Sequence, residues 1–167
     1  MESVRELYET YEPYVFKYLY GLTLNYHVAE ELTQETFFQI LKSFYSFRGE
    51  CHVKTWIYKI ARNVFYQWQR KKSISTEQIG DDWFDIPDKG GPEEIFERKE
   101  ENKSIEYALM QISGKHREVI WLRDWQGLSY EEIAAVTNRS ISWVKVNIHR
   151  ARLEFKKNYI ERGNLHE

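Results

Sequence analysis

The feature of this sequence that most constrains its fold is a helical spacing of apolar residues on both sides of one acidic segment. Apolar side chains recur at steps of three and four residues through residues 4–72 and again from about residue 104, which is the spacing of amphipathic α-helices. Within 1–72 no segment alternates apolar and polar residues over more than four positions, as a half-buried strand would. The sequence therefore predicts an all-α fold of two small helical domains.

The segment between the two helical parts is residues 73–103. It holds two of the three prolines and three of the eight glycines, together with a cluster of aspartates. It has no sustained period, and its composition favours turns. We interpret it as a flexible linker between a domain at 1–72 and a domain at 104–167.

The charge of the chain is unevenly distributed. The 167 residues carry a net charge of −2, which alone disfavours a nucleic-acid-binding protein. Residues 1–72 and 104–167 are each +2, however, and residues 73–103 are −6. Residues 54–72 contain six cations and no acid, and residues 139–157 contain six cations and one acid, Glu154. Two basic segments separated by an acidic spacer favour contact with a polyanion, although two solvated helix faces are the plain alternative.

Several classes of protein are disfavoured by what the sequence lacks. No stretch approaches 18 uncharged apolar residues, and the N-terminus does not resemble a signal peptide. We therefore expect a cytoplasmic chain with no membrane insertion of its own. Cys51 is the single cysteine, and no nucleophile–base pair stands out. We expect no enzyme, no catalytic residue, no metal site and no cofactor. The alternative of a metal-dependent nuclease has only Cys51 and His52 as a close pair of candidate ligands, and nothing nearby completes the set.

The segment with the most specific pattern starts at Ser129, which with Glu132 forms a predicted capping box. A short helix from about Tyr130 to Val136 would follow, then a tight connection, then a longer helix capped by Ser140. That second helix is predicted to bury one side, made of Ile141, Val144, Ile148, Ala151 and Phe155. It is predicted to expose the other, made of Trp143, Lys145, Asn147, His149, Arg150 and Arg152.

This pattern is typical of a helix-turn-helix whose second helix enters the DNA major groove. Exposed Lys and Arg suit phosphates, and Asn can bond to adenine edges. An ordinary αα-hairpin is the structural alternative.

Residues 54–72 interleave cations with aromatic rings, the combination that binds single-stranded nucleic acid. Trp68 lies on the apolar stripe of this predicted helix, so we expect it in the core. Trp56, Tyr66 and the edge of Tyr58 are the rings that we expect to meet nucleic acid. A duplex reader and a strand reader in one chain suggest a protein that opens DNA or holds it open.

Three stretches, taken together, resemble the bacterial extracytoplasmic-function (ECF) sigma factors. They are AEELTQETFFQILKSF, FRGECHVKTWIYKIARNVFYQWQRK and GKHREVIWLRDWQGLSYEEIAAV with VKVNIHRAR. Members of this family are minimal sigma subunits of RNA polymerase, with sigma region 2 and sigma region 4 joined by a linker. The resemblance implies a transcription initiation factor whose partners are the polymerase core, promoter DNA and an anti-sigma factor, and which is a monomer outside its complexes.

The resemblance also implies roles for particular residues. The polymerase core would be bound by Glu30, Glu31, Gln34 and Glu35. The −10 element would be bound by the loop from Arg48 to Lys54 and by Trp56, Lys59, Arg62, Asn63, Gln67 and Arg70. The −35 element would be bound by the helix from Ser140 to Arg152, through Ser140, Ser142, Trp143, Lys145, Asn147, His149, Arg150 and Arg152.

The sequence departs from the family pattern at a few of these positions. Gln67 stands where the family usually has Asp, and residues 142–147 stand where Gly-Thr-Val-Lys-Ser-Arg is usual. Trp143 and Asn147 are therefore expected to alter −35 preference, or to shift affinity to Arg150 and Arg152. A two-domain regulator with a ligand-sensing N-terminal domain is the rival interpretation; it would require a dimer and a palindromic site.

Overall fold

The structure is a computed structural model that describes residues 3–76 and 100–165. The chain divides into two compact units, one on each side of the interval 77–99. Every regular element in the described ranges is helical, which confirms the predicted all-α class. The predicted flexible linker lies mostly outside the described residues, and helices extend four residues into it at each end, to Thr76 and from Glu100.

The first unit is built from three helices, α1 (Val4–Thr23), α2 (Tyr26–Ser43) and α3 (Val53–Thr76), with a 3₁₀ turn at Phe44–Ser46 after α2. Short polar caps explain where α1 and α2 begin. The Ser3 hydroxyl accepts from the Glu6 backbone N–H, and the Asn25 side chain accepts from the Val28 N–H, so N-terminal donors without helical partners are satisfied. Leu24 takes a left-handed conformation, φ 52°, and ends α1.

The core of the first unit comes from all three helices. The largest fully buried side chains are Leu7, Tyr18, Leu19, Ile40, Ile57 and Tyr58. Tyr18 of α1 meets Tyr58 of α3 edge-on, with ring centroids 5.3 Å apart, a preferred geometry for aromatic pairs.

The expectation for Tyr58 is corrected. Tyr58 is 1% exposed, so its edge is not available to nucleic acid. Leu41 of α2, in contrast, is 52% exposed. Pro13 lies inside α1.

The second unit comprises α4 (Glu100–Met110), α5 (Gly114–Ile120), α6 (Tyr130–Thr137) and α7 (Ile141–Leu165). A π-helical turn at Trp121–Trp125 continues α5. The long helix α7 packs against α4, α5 and α6, and its buried side presents Val144, Ile148 and Ala151. Ile141 was expected on that side but is 39% exposed, because it is the first residue of α7.

The helices that the structure describes include none with the length and apolar character needed to cross a membrane.

Candidate polymerase and nucleic-acid interfaces

The helix-turn-helix predicted from the sequence forms through the caps that the sequence indicates. The Ser129 hydroxyl accepts from the Glu132 N–H at 3.1 Å, and Glu132 Oε2 accepts from the Ser129 N–H at 2.9 Å. Asn138 ends α6 in a left-handed conformation, φ 55°. The Ser140 hydroxyl then accepts from the Trp143 N–H at 3.1 Å at the start of α7. The capping predictions for Ser129 and Ser140 are confirmed.

The solvent side of the first half of α7 is cationic and polar. Ser142, Lys145, His149 and Arg150 are exposed there, and Val146 is 46% exposed among them. We call Lys145, Val146, His149 and Arg150 the reading face. Trp143 is half-buried beside it, with the Arg139 guanidinium 5.1 Å from its ring. Val146 was not among the predicted exposed residues, although the helical period alone places it on the exposed side.

Asn147 does not belong to this exposed face, and the expectation that it does is wrong. Its side chain is 3% exposed. Its Nδ2 donates to the Trp143 carbonyl at 2.8 Å, and its Oδ1 lies 3.1 Å from Nε2 of His116 on α5. With both ends of the amide engaged inside the unit, Asn147 cannot bond to an adenine edge.

Arg152 is also engaged within the protein. Its Nε and Nη2 donate to the two carboxylate oxygens of Asp124 at 3.0 and 2.6 Å. The hydrogen bond to Asp124 raises the pKa of Arg152 above its usual range. A guanidinium fixed in this bidentate geometry has fewer donors left for an external anion, whereas the Arg150 side chain is exposed.

A second cationic and aromatic surface follows α3. One side of the helix carries Trp56, Lys59, Asn63, Gln67 and Arg70, of which Asn63, Gln67 and Arg70 are exposed. The helix begins after a loop in which Arg48 is exposed and Gly49 adopts φ 72°. Lys54, at the start of the helix, is half-buried.

The aromatic rings of this surface are already covered by neighbouring side chains. Phe47 stacks on Trp56 with centroids 4.5 Å apart, and the Arg62 guanidinium lies 4.5 Å from the Tyr66 ring centroid. Trp68, expected in the core, is half-buried, with Lys72 Nζ 4.7 Å from its ring. A nucleotide base that stacks on Trp56 or Tyr66 must use the other ring face or displace these groups.

The polar stripe predicted on the second helix lies on the surface of α2. Glu30, Glu31, Gln34 and Glu35 are exposed, and Gln39 Nε2 donates to Glu35 Oε1 at 2.7 Å. The stripe continues into exposed apolar side chains, which are Phe38 and Leu41 on α2 and, beyond α2, Tyr45, which is 89% exposed. Charged and apolar groups thus share one continuous helix face.

Within residues 3–76 and 100–165, no group of three or more His, Cys, Asp or Glu side chains is arranged to hold a metal ion.

Comparisons with known proteins cover both units. Residues 7–74 match sigma-70 region 2, and residues 102–155 match sigma-70 region 4. The chain is similar to the RNA polymerase sigma factor YlaC of Bacillus subtilis strain 168, with 35% identity over 159 residues, covering 94% of this chain and 92% of YlaC. It is also similar to the ECF RNA polymerase sigma factor SigX of the same strain, with 34% identity, covering 89% of this chain and 79% of SigX.

Among solved structures, the chain is similar to the sigma factor RpoE of Bartonella quintana, crystallised in complex with the anti-sigma factor NepR. The TM-score is 0.76 and the identity 25%, over 92% of this chain and 94% of RpoE. Identity above 30% across nearly the whole length, and the order of the two matched regions, establish the relationship. The chain belongs to the ECF group of RNA polymerase sigma factors, which direct transcription initiation and are regulatory subunits rather than enzymes.

Proposed function

We propose that this sigma factor brings the polymerase core to its promoters by reading a duplex −35 element with α6 and α7 and by holding unpaired −10 bases on α3. The observation that carries the proposal is the reading face of α7. This exposed cationic surface directly follows a short capped helix and a tight connection, which is the order of elements in a helix-turn-helix.

For the −35 element, Lys145, His149 and Arg150 are the proposed base and phosphate contacts, with Ser142 at the start of the helix. The Ser140 hydroxyl is used in the cap, so its contribution is to hold the first turn of α7. Asn147 and Arg152 are not proposed as DNA contacts, because their polar atoms form hydrogen bonds within the unit.

For the −10 element, the proposed surface is the exposed side of α3 with the loop before it. Arg48, Lys54, Lys59 and Arg70 supply positive charge for the strand backbone, and Asn63 and Gln67 supply hydrogen-bonding side chains. Trp56 and Tyr66 offer stacking faces, and each stacked base is worth about 1–3 kcal/mol. The Arg62 guanidinium lies over one face of the Tyr66 ring, so the proposed stacking uses the other face.

For the polymerase core, the proposed contact is the α2 stripe of Glu30, Glu31, Gln34 and Glu35. All four side chains are exposed although they lie between turns that bury Ala29, Leu32, Phe37 and Ile40. A surface that serves no internal packing is available to a partner.

We further propose sigma region 2 at 1–72 and sigma region 4 at 104–167 as the functional domains, and an anti-sigma factor as a regulatory partner. The similarity to RpoE, which was crystallised with its anti-sigma factor NepR, supports the latter.

The test is run-off transcription with core polymerase, this chain and fragmented genomic DNA from its own host, with transcript starts mapped by sequencing. Starts that depend on the added chain and share upstream elements at −35 and −10 are the expected result. Transcription that is unchanged by the added chain, at saturating protein and with an active control sigma factor, would overturn the proposal.

A further inference from the structure

We infer that His116 and Asn147 are positioning residues, which fix the rotation of α7 so that its reading face meets the −35 bases in one register. This inference rests on the proposed −35 role of α7. It concerns residues that touch no DNA and act through the helix that does.

His116 holds α7 at two points on the same side. It lies on α5 and is 7% exposed. Its Nδ1 is 2.7 Å from Glu154 Oε1, and its Nε2 is 3.1 Å from Asn147 Oδ1. Residues 147 and 154 are seven positions, or about two helical turns, apart. One imidazole ring therefore contacts α7 at two points about two helical turns apart.

The orientation of the Asn147 amide is fixed by a third hydrogen bond. Its Nδ2 donates to the Trp143 carbonyl at 2.8 Å, so its oxygen faces His116. Each nitrogen of the buried ring thus faces an oxygen atom on α7, and both contacts are hydrogen bonds when both ring nitrogens carry a proton. We call this set of His116, Asn147 and Glu154 the clamp.

Apolar packing alone does not determine the rotation of α7 as sharply. Val144, Ile148 and Ala151 bury the inner side of the helix, but burial of apolar area is non-directional. Hydrogen bonds weaken steeply when their angle departs from linear. The clamp therefore supplies the directional restraint, while the apolar residues supply the affinity between α7 and α5.

A small rotation would matter because the reading face lies close to the clamp in sequence. Lys145, Val146, His149 and Arg150 are all within three positions of Asn147. Side-chain ends lie about 5–6 Å from the axis of a helix, so a rotation of roughly 20° moves them by about 2 Å. A shift of that size breaks a hydrogen bond to a base edge, for which donor and acceptor must lie within about 3.2 Å.

The experiment measures base preference rather than activity. Holoenzyme assembled from core polymerase and the full-length chain transcribes a promoter library with a fixed −10 element and a randomised −35 element, and transcripts are counted by sequence. The variants are Asn147→Ala, Glu154→Leu and Glu154→Gln. The Gln side chain keeps an oxygen acceptor for His116. Because the Glu154 side chain is 43% exposed, we expect its substitutions to keep the fold.

Two controls separate positioning from stability. Ile120 on α5 is 2% exposed and is changed to Val and to Ala. These two variants are expected to lower the thermal midpoint by a small and a large amount, between which the values of the clamp variants should fall. Lys145→Ala and Arg150→Ala report whether α7 reads the −35 element at all.

We expect Asn147→Ala and Glu154→Leu to lower the ratio between the best and the alternative −35 sequences by about tenfold, the discrimination of a single base contact. Glu154→Gln and both Ile120 variants should keep the wild-type ranking. If Lys145→Ala and Arg150→Ala change the preference while Asn147→Ala and Glu154→Leu do not, the positioning role is overturned. If no variant on α7 changes it, the proposed −35 role itself fails.

Discussion

Arg150 and Arg152 are two residues apart on α7 and carry the same charge, but only Arg152 forms an ion pair within the unit. Arg150 is exposed on the reading face, whereas Arg152 donates two hydrogen bonds to the Asp124 carboxylate. A cation that contacts a phosphate releases counterions when it binds, and one neutralised by an acid of its own chain does so far less. Substitutions at the two positions should therefore change the salt dependence of DNA binding to different extents.

For holoenzyme binding to promoter DNA, log K falls linearly as log salt rises. We expect Arg150→Ala to make this fall less steep by about 1 unit of slope. Arg152→Ala should leave that slope unchanged and lower thermal stability instead, by about 0.5–1 kcal/mol as for a partly exposed ion pair. Titration of fluorescent promoter DNA at four salt concentrations measures the slopes.

Asp124→Ala is the matched control for the stability effect. It should cost the same stability as Arg152→Ala, and the double variant should cost no more than either single one. If Arg152→Ala reduced the steepness of the salt dependence as much as Arg150→Ala does, Arg152 would contact a phosphate, which contradicts its assignment to the ion pair with Asp124.

Individual residues were predictable from the sequence where their partners are local. Ser129 and Ser140 bond to groups three residues away, so the caps follow from the sequence alone. Asn147 sits at the border of the apolar stripe, where a helical period does not decide the side, and its partner His116 is 31 positions away. Tyr58 was misplaced for the same reason, because Tyr18 of α1 covers it.

Individual helices in this chain are delimited by their end groups. Ser3 and Glu6 form a reciprocal capping box at the start of α1, with the Ser3 N–H donating to Glu6 Oε2 at 2.6 Å. Hydrogen bonds from the backbone and side chain of Ser3 lower the pKa of Glu6. A carboxyl with a lowered pKa in the folded state contributes stability above its unfolded pKa, and that contribution is lost as the pH falls through the folded value.

We therefore expect the first turn of α1 to loosen only at acidic pH, below the ordinary Glu pKa of about 4.3. A carboxyl-carbon NMR titration should give Glu6 a pKa below that value. Ser3→Ala, which removes the side-chain hydrogen bond and keeps the backbone one, should move it part of the way back. A Glu6 pKa at or above the ordinary value would contradict the cap.

On α2, substitutions in the exposed stripe should affect binding to the polymerase core without affecting the stability of the fold. Gln34→Ala combined with Glu35→Ala is expected to weaken binding to the polymerase core about tenfold or more while leaving the thermal midpoint within about 2 °C, because surface positions rarely affect stability. Competition with a labelled sigma factor for core polymerase measures the affinity.

Glu9→Ala, an exposed acid on α1, is the control and should leave that affinity unchanged. A soluble but destabilised Gln34/Glu35 double variant would mean that the stripe packs internally.

The molecule as a whole combines two net-basic parts with an acidic segment. The total of −2 conceals +2 in residues 1–72, −6 in 73–103 and +2 in 104–167. The total charge alone pointed away from nucleic acid, whereas its distribution along the chain pointed to the two surfaces on α3 and α7. Charges on one chain act on an approaching polyanion together, within a Debye length of about 10 Å at 0.1 M salt.

We accordingly expect the free protein to bind promoter duplex weakly and the holoenzyme to bind it tightly. Replacing Asp81, Asp82 and Asp85 with Asn removes three negative charges and should raise the affinity of the free protein for duplex DNA, more at 50 mM salt than at 300 mM, because screening suppresses long-range repulsion. Fluorescence anisotropy with a labelled promoter measures both effects. A free wild-type chain that binds as tightly as the holoenzyme, or a triple variant with unchanged affinity at low salt, would show that the acidic segment does not restrain DNA binding.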